Sequence, residues 1–120
     1  MWAVALLLLF YFPRGPLGQI PVRGRIYVAD LGHGEKPYLI VSNNARNRQL
    51  SDSLGIRITT SSKPDMASIV ILTAADPLVG RVLCDDVVAI FHDELRRDVG
   101  ALSAATMAQV AVGLRFAFSI

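Results

Sequence analysis

The sequence predicts a mainly β domain, a small and strongly curved sheet or barrel, carrying one C-terminal α-helix. Three observations predict it. Short runs that alternate apolar and polar, or are wholly apolar, follow one another between Gly, Pro and polar turns. A single stripe with the 3.6-residue period of a helix comes only at the end of the chain. With 120 residues and one cysteine, the chain has room for one modest core and no internal disulfide to staple it.

The elements follow in order. Met1 to Phe12 is entirely apolar or aromatic and is broken by Pro13, Arg14, Gly15 and Pro16. A spanning helix needs about 20 apolar residues, and a secretory signal carries a basic start and a small-residue cleavage site, neither of which is present. Residues 1–21 are therefore read as a hydrophobic leader outside the fold, an upstream start or a disordered extension. A membrane-associated or secreted segment is the alternative. The folded domain is expected at residues 22–120.

Arg25 to Asp30 alternates, with Ile26 and Val28 on one face and Arg25 and Tyr27 on the other. Leu31 to Lys36 is a Gly-bearing loop that closes on Pro37, and Tyr38 to Ser42 reads as a strand. Asn43 to Gln49 is polar and suits a turn or a single helical turn. Leu54 to Thr60 alternates again, with Ile56 and Ile58 inward and Arg57 and Thr59 on the opposite face. Ser61 to Asp65 is a loop. Ser68 to Leu72 and Arg81 to Phe91 are apolar enough for central strands, separated by turns at Asp76-Pro77 and Gly80. Ser103 is suited to cap the last helix, whose apolar stripe is Met107, Val110, Ala111, Leu114 and Phe118.

The formal net charge is only +2, so the total says little about partners, but the distribution says more. Lys36, Arg46, Arg48, Arg57 and Lys63 face only Asp52 in their stretch, whereas Asp85, Asp86, Asp93, Glu94 and Asp98 come later. A basic first half suits an anion held on one surface. Cys84 sits among Val82, Leu83, Val87 and Val88 and reads as a small buried strand residue. Adjacent Asp85 and Asp86 would point to opposite faces of a strand, and His33 and His92 lack ligand spacing, so no metal site or other cofactor is expected.

Chemistry is suggested by a constellation. Arg23-Gly24-Arg25-Ile26-Tyr27 opens the first strand, Asp30-Leu31-Gly32 begins a loop, Lys36-Pro37-Tyr38-Leu39-Ile40-Val41-Ser42-Asn43 follows, and then Arg57-Ile58-Thr59-Thr60-Ser61-Ser62. In this order the segments resemble the MazF/PemK family of type II toxin–antitoxin endoribonuclease toxins (mRNA interferases), with looser similarity through Val82 to Val87 and into Leu102-Ser103. The resemblance spans about residues 22 to 118. It implies an SH3-like barrel of the PemK/CcdB type, usually a homodimer. It also implies metal-independent cleavage of single-stranded RNA by attack of the 2′-hydroxyl, leaving 2′,3′-cyclic phosphate and 5′-hydroxyl ends. A MazE-like antitoxin with an acidic tail is the implied partner, and the implied compartment is the bacterial cytoplasm.

The family's catalytic Arg falls at Lys36 and its catalytic Thr at Thr59. A cation where charge develops on phosphorus, with hydroxyl donors beside it, is what such cleavage needs. His33 and Glu35 are placed in the same loop for proton transfer or RNA contact. Asn43, Asn44, Arg46, Arg57, Thr60, Ser61, Lys63 and Asp86 are further RNA-contact candidates, and Tyr27 and Tyr38 are candidates for stacking bases. The plainer alternatives are a solvated charge at Lys36, β-propensity at Thr59, a solvated turn at Arg46 and barrel packing for the tyrosines. Two departures matter: Lys36 lacks the bidentate fork of the usual Arg, and Asp86 stands where relatives often carry Gln. Two rivals stay open, a non-cleaving toxin of the same fold that poisons DNA gyrase and a membrane-tethered interaction module.

Overall fold

The computed structural model describes residues 20–120. Apart from Ile20 and the buried Pro21, the expected leader at residues 1–21 lies outside the described residues. The elements are β1 (Arg25–Asp30), β2 (Glu35–Ile40), the short helix α1 (Asn44–Gln49), β3 (Asp52–Thr59), β4 (Ile69–Ile71), β5 (Arg81–Phe91), a 3-10 turn (His92–Glu94), β6 (Leu95–Ala101) and α2 (Ala104–Phe118). All pairings are antiparallel, in one six-stranded sheet of order β4-β5-β3-β2-β1-β6. The sheet is barrel-like but open between β4 and β6.

Curvature comes from breaks in the ladders. On β5 the register jumps from Ile56↔Val87 to Ile58↔Val82, so residues 83–86 oppose Arg57 alone. Extra residues on one strand bend it and increase its twist. β6 shifts register against β1 on either side of the Tyr27↔Asp98 and Val28↔Arg97 pairs. Curving buries both faces of the inner strands. One core contains Ile26, Leu39, Ile56, Ile58, Val82, Cys84 and Val110, and the other contains Tyr27, Ala29, Tyr38, Ile40, Ile90 and Leu95.

That arrangement corrects several expectations. Tyr27 is 1% exposed and its hydroxyl accepts from the Val22 amide, so it packs instead of stacking a base. The Ser68–Leu72 run is a three-residue edge strand, not a central one. Strand β2 starts at Glu35, so Lys36 and Pro37 belong to it, and Pro37 falls beyond the Tyr38–Ile40 stretch that pairs with β3. The 3-10 turn and β6 fill a region for which no element was expected.

Ser103 does cap α2, its Oγ accepting from the Thr106 amide at 3.2 Å. The buried face of that helix is Thr106, Val110 and Gly113, flanked by half-buried Met107 and Leu114, whereas Phe118 is exposed. Gly113 lies so close to β5 that an added Cβ would sit 2.7 Å from Cys84 Sγ and 2.9 Å from the Ala67 carbonyl. Cys84 is thus a packing residue beneath α2, and burial pushes its thiol up to about 11, with Asp85 adding to the shift.

A groove joining Lys36 and Thr59

Two adjacent strands bring the expected catalytic pair together. β2 and β3 pair as Tyr38↔Arg57, Leu39↔Ile56 and Ile40↔Gly55. Extending that register by two residues sets Lys36 opposite Thr59, where the strands part. The gap is a groove of about 410 Å³ lined by Glu35, Lys36, Pro37, Arg57, Ile58, Thr59, Thr60, Ser61, Leu78 and Val79. Eight of the ten are β2 or β3 residues or continue directly from β3, so the groove inherits the rigidity of the sheet.

Thr59 Oγ1 accepts from the Ser61 amide at 3.1 Å. That bond fixes the hydroxyl oxygen and leaves its proton free to donate. The carbonyl of Thr59 lies close against the backbone of Gly80, where φ is +144° and an added Cβ would lie 2.7 Å from Thr59 O. Only glycine fits there comfortably. Among the described residues the Lys36 side chain makes no ion pair or hydrogen bond, so its ammonium charge is uncommitted.

Arg57 also lines a second hollow of about 340 Å³ with Leu31, His33, Tyr38, Asp86 and Val88. The break in β5 opposite Arg57 opens this space, and Arg57 Nε is buried there without a hydrogen-bond partner. Tyr38 is buried against the sheet, which raises its hydroxyl pKa, while Arg57 opposes that rise. His33 and Asp86 therefore meet Arg57 but not the Lys36–Thr59 pair.

The remaining candidates lie elsewhere. Asn43 caps α1 and accepts from the Ala45 amide at 2.8 Å. Asn44 Oδ1 accepts from the Arg23 amide at 2.8 Å and lines a separate hollow with Ile20, Pro21, Val22 and Arg48. Arg46 pairs with the Asp52 carboxylate at 2.9 Å and donates to its carbonyl. All three are occupied holding α1 against its neighbours. Lys63 is exposed on the loop after β3 and lines neither hollow.

Sequence reasoning missed Leu78, which walls the groove, and Arg97, which lies just beyond Lys36. The adjacent Arg96-Arg97 pair was the available signal, but it fell in a stretch without an expected strand.

A small curved sheet with a terminal helix and this cationic, hydroxyl-lined groove puts the chain in a defined class. The family of PemK-like, MazF-like toxins of type II toxin–antitoxin systems matches residues 22–118, and the chain belongs to it. Endoribonuclease MazF4 of Mycobacterium tuberculosis is 40% identical over 100 residues, covering 83% of this chain and 94% of that protein. Endoribonuclease MazF1 of Mycobacterium bovis matches with the same figures. A mycobacterial endoribonuclease solved in complex with its cognate antitoxin superposes with a TM-score of 0.80 at 40% identity, over 83% of this chain and 96% of that one.

Proposed function

We infer that this chain is the toxin of a type II toxin–antitoxin pair and an endoribonuclease that cuts single-stranded RNA. The observation that carries this reading is the register that sets Lys36 across from Thr59 in one groove beside Thr60, Ser61 and Arg57. In the proposed reaction the 2′-hydroxyl attacks the adjacent phosphorus, the bond to the 5′-oxygen breaks, and a 2′,3′-cyclic phosphate forms. Lys36 stabilises the charge that builds on the phosphorane, and the Thr59 hydroxyl donates to a non-bridging oxygen. Glu35, in the same groove, accepts the proton of the 2′-hydroxyl, and the Lys36 ammonium gives a proton to the departing 5′-oxygen, after which proton exchange with water restores both side chains. The backbone beside the cut is tracked by Arg57 with His33, while Asp86 in the same hollow accepts from a base edge.

The 40% identity to endoribonucleases over most of the chain supports this activity, and the related complex supports an antitoxin partner. An acidic, partly disordered antitoxin tail folds onto the basic groove and blocks it. Val112, Phe116, Phe118 and Ile120 are exposed on or just after α2 and supply an apolar surface for a homodimer. Among the described residues no helix is long and apolar enough to cross a membrane, and a cytoplasmic site of action is part of the proposal.

The test is incubation of purified protein with RNA in EDTA. New ends bearing 2′,3′-cyclic phosphate, absent with Lys36→Ala and Thr59→Ala, are the expected result. Intact RNA together with inhibited DNA gyrase would overturn the nuclease reading.

A further inference from the structure

On the far side of Lys36 from Thr59 lies another hollow, of about 400 Å³, lined by Val28, Glu35, Lys36, Pro37, Leu78, Arg97 and Val99. Glu35, Lys36, Pro37 and Leu78 line both this hollow and the groove beside Thr59. The two spaces therefore adjoin at Lys36. We propose that this hollow is a second nucleotide subsite, in which Val28, Pro37, Leu78 and Val99 receive a base and Arg97 with Lys36 holds its phosphate. The proposal rests on the endoribonuclease reading above, and extends it to a nucleotide that flanks the cleaved bond.

The chemistry of the lining matches a nucleotide. A base presents an apolar face and needs an apolar floor, while its phosphate needs a cation at the rim. Here four apolar side chains are bordered by two cations and one carboxylate. The volume lies within the roughly 300–1,000 Å³ usual for small-molecule sites.

Arg97 is also placed and partnered in a way that leaves it available. It pairs with Val28 of β1 between two register shifts, and Val99 is the unpaired residue of one of them. Bulges of this kind re-aim side chains next to binding sites. The Arg97 guanidinium lies 3.8 Å from the Glu35 carboxylate, with the two side chains 65% and 53% exposed. Exposed pairs of this sort are weak, so a phosphate, which a guanidinium grips with two parallel bonds, displaces Glu35. Arg97 then supplies the fork that Lys36 lacks, and Glu35 is released to face the groove.

The experiment first maps where wild-type protein cuts a mixed RNA. Oligonucleotides around that bond are then trimmed one nucleotide at a time from each end, and kcat and KM are measured for wild type, Arg97→Ala and Arg97→Lys. Trimming from one end is expected to raise the wild-type KM about tenfold with little change in kcat, roughly the effect of one lost base contact. Arg97→Ala is expected to show that raised KM on the full oligonucleotide, with no further penalty on trimming, and Arg97→Lys to recover part of it. Binding by Arg97→Ala should also lose about 0.7 from the slope of log K against log salt, one phosphate's worth on a single strand.

A wild-type KM in Arg97→Ala, or the same trimming penalty in both proteins, overturns the subsite while RNA cleavage stands. Arg97 is largely exposed, so misfolding is not expected to mimic the effect, and a wild-type melting temperature for the variant checks this. A wild-type protein that cuts no RNA overturns the nuclease reading and the subsite with it.

Discussion

Asp76 and the Lys36–Thr59 groove are both polar clusters where loops meet secondary structure, and they use their side chains in opposite ways. Asp76 Oδ2 accepts from the Thr73 amide at 2.8 Å, the Thr73 hydroxyl at 3.0 Å and the Thr106 hydroxyl at 2.7 Å, and its Oδ1 accepts from the Ser103 amide at 2.8 Å. It ties the loop after β4 to the first turn of α2. In the groove, Lys36 has no such partner among the described residues, and Arg57 keeps a buried Nε unpaired. A polar group whose bonds are filled holds the fold, whereas one left unfilled beside a cavity is available to a ligand.

The comparison breaks if function and stability fail to separate along this line. The largest effect belongs to the groove. Lys36→Ala should lower single-turnover RNA cleavage by roughly 10²-fold or more, the scale of losing one donor to a developing anion, with an unchanged melting temperature. Thr59→Ala should follow with a smaller loss.

Next comes Asp76→Ala, expected to cost roughly 2–3 kcal/mol in urea unfolding, since charged hydrogen bonds are lost and their donors orphaned. The cleavage rate per folded molecule should hardly change. Burial pulls the Asp76 carboxyl upward, but the bonds to Thr73, Ser103 and Thr106 outweigh it and hold the carboxyl well below its usual 3.8. A depressed carboxylate contributes stability that is present above about 3.8 and is lost as pH falls below it. Stability measured from pH 5 downward should therefore fall less steeply in Asp76→Ala than in wild type.

Gly80→Ala joins the two regions, because the new Cβ meets the Thr59 carbonyl. It should lose about 1–3 kcal/mol through strain at a positive φ and slow cleavage as well, which would sharpen the view that Thr59 is positioned from behind. The smallest change is expected for Arg46→Ala, about 1 kcal/mol or less from its pair with Asp52, and a KM for RNA within about twofold of wild type. A large KM increase there would place α1 in the RNA path and erase the distinction.

Much of this was legible in the sequence. Arg25 to Asp30, Leu54 to Thr60, Arg81 to Phe91 and the Ser103 cap all announce themselves through local periodicity or a capping residue. Strand β6 did not, because Arg96, Arg97 and Asp98 give it a polar outer face and only Leu95 is fully buried. Tyr27 looked outward because alternation assumes one buried face, and a sheet that curves back on itself buries two. Asn43, Asn44 and Arg46 were ambiguous for another reason: the same amide and guanidinium groups that bind RNA also cap helices. Family resemblance points to Lys36 and Thr59, but their meeting across β2 and β3 depends on register, which no local pattern reveals.

The pairing of β1 with β6 has a consequence in time. Arg25 aligns with Ala101, so the first described strand waits for the last before its outer edge is closed. Contacts between such distant positions form late, after a large loop has been closed. During synthesis the Lys36–Thr59 groove is incomplete until Leu78 emerges, and the neighbouring hollow until Arg97 and Val99 do. A chain that ends before Leu78 therefore lacks a wall of the groove, and one that ends before Arg97 lacks the charged rim of the neighbouring hollow.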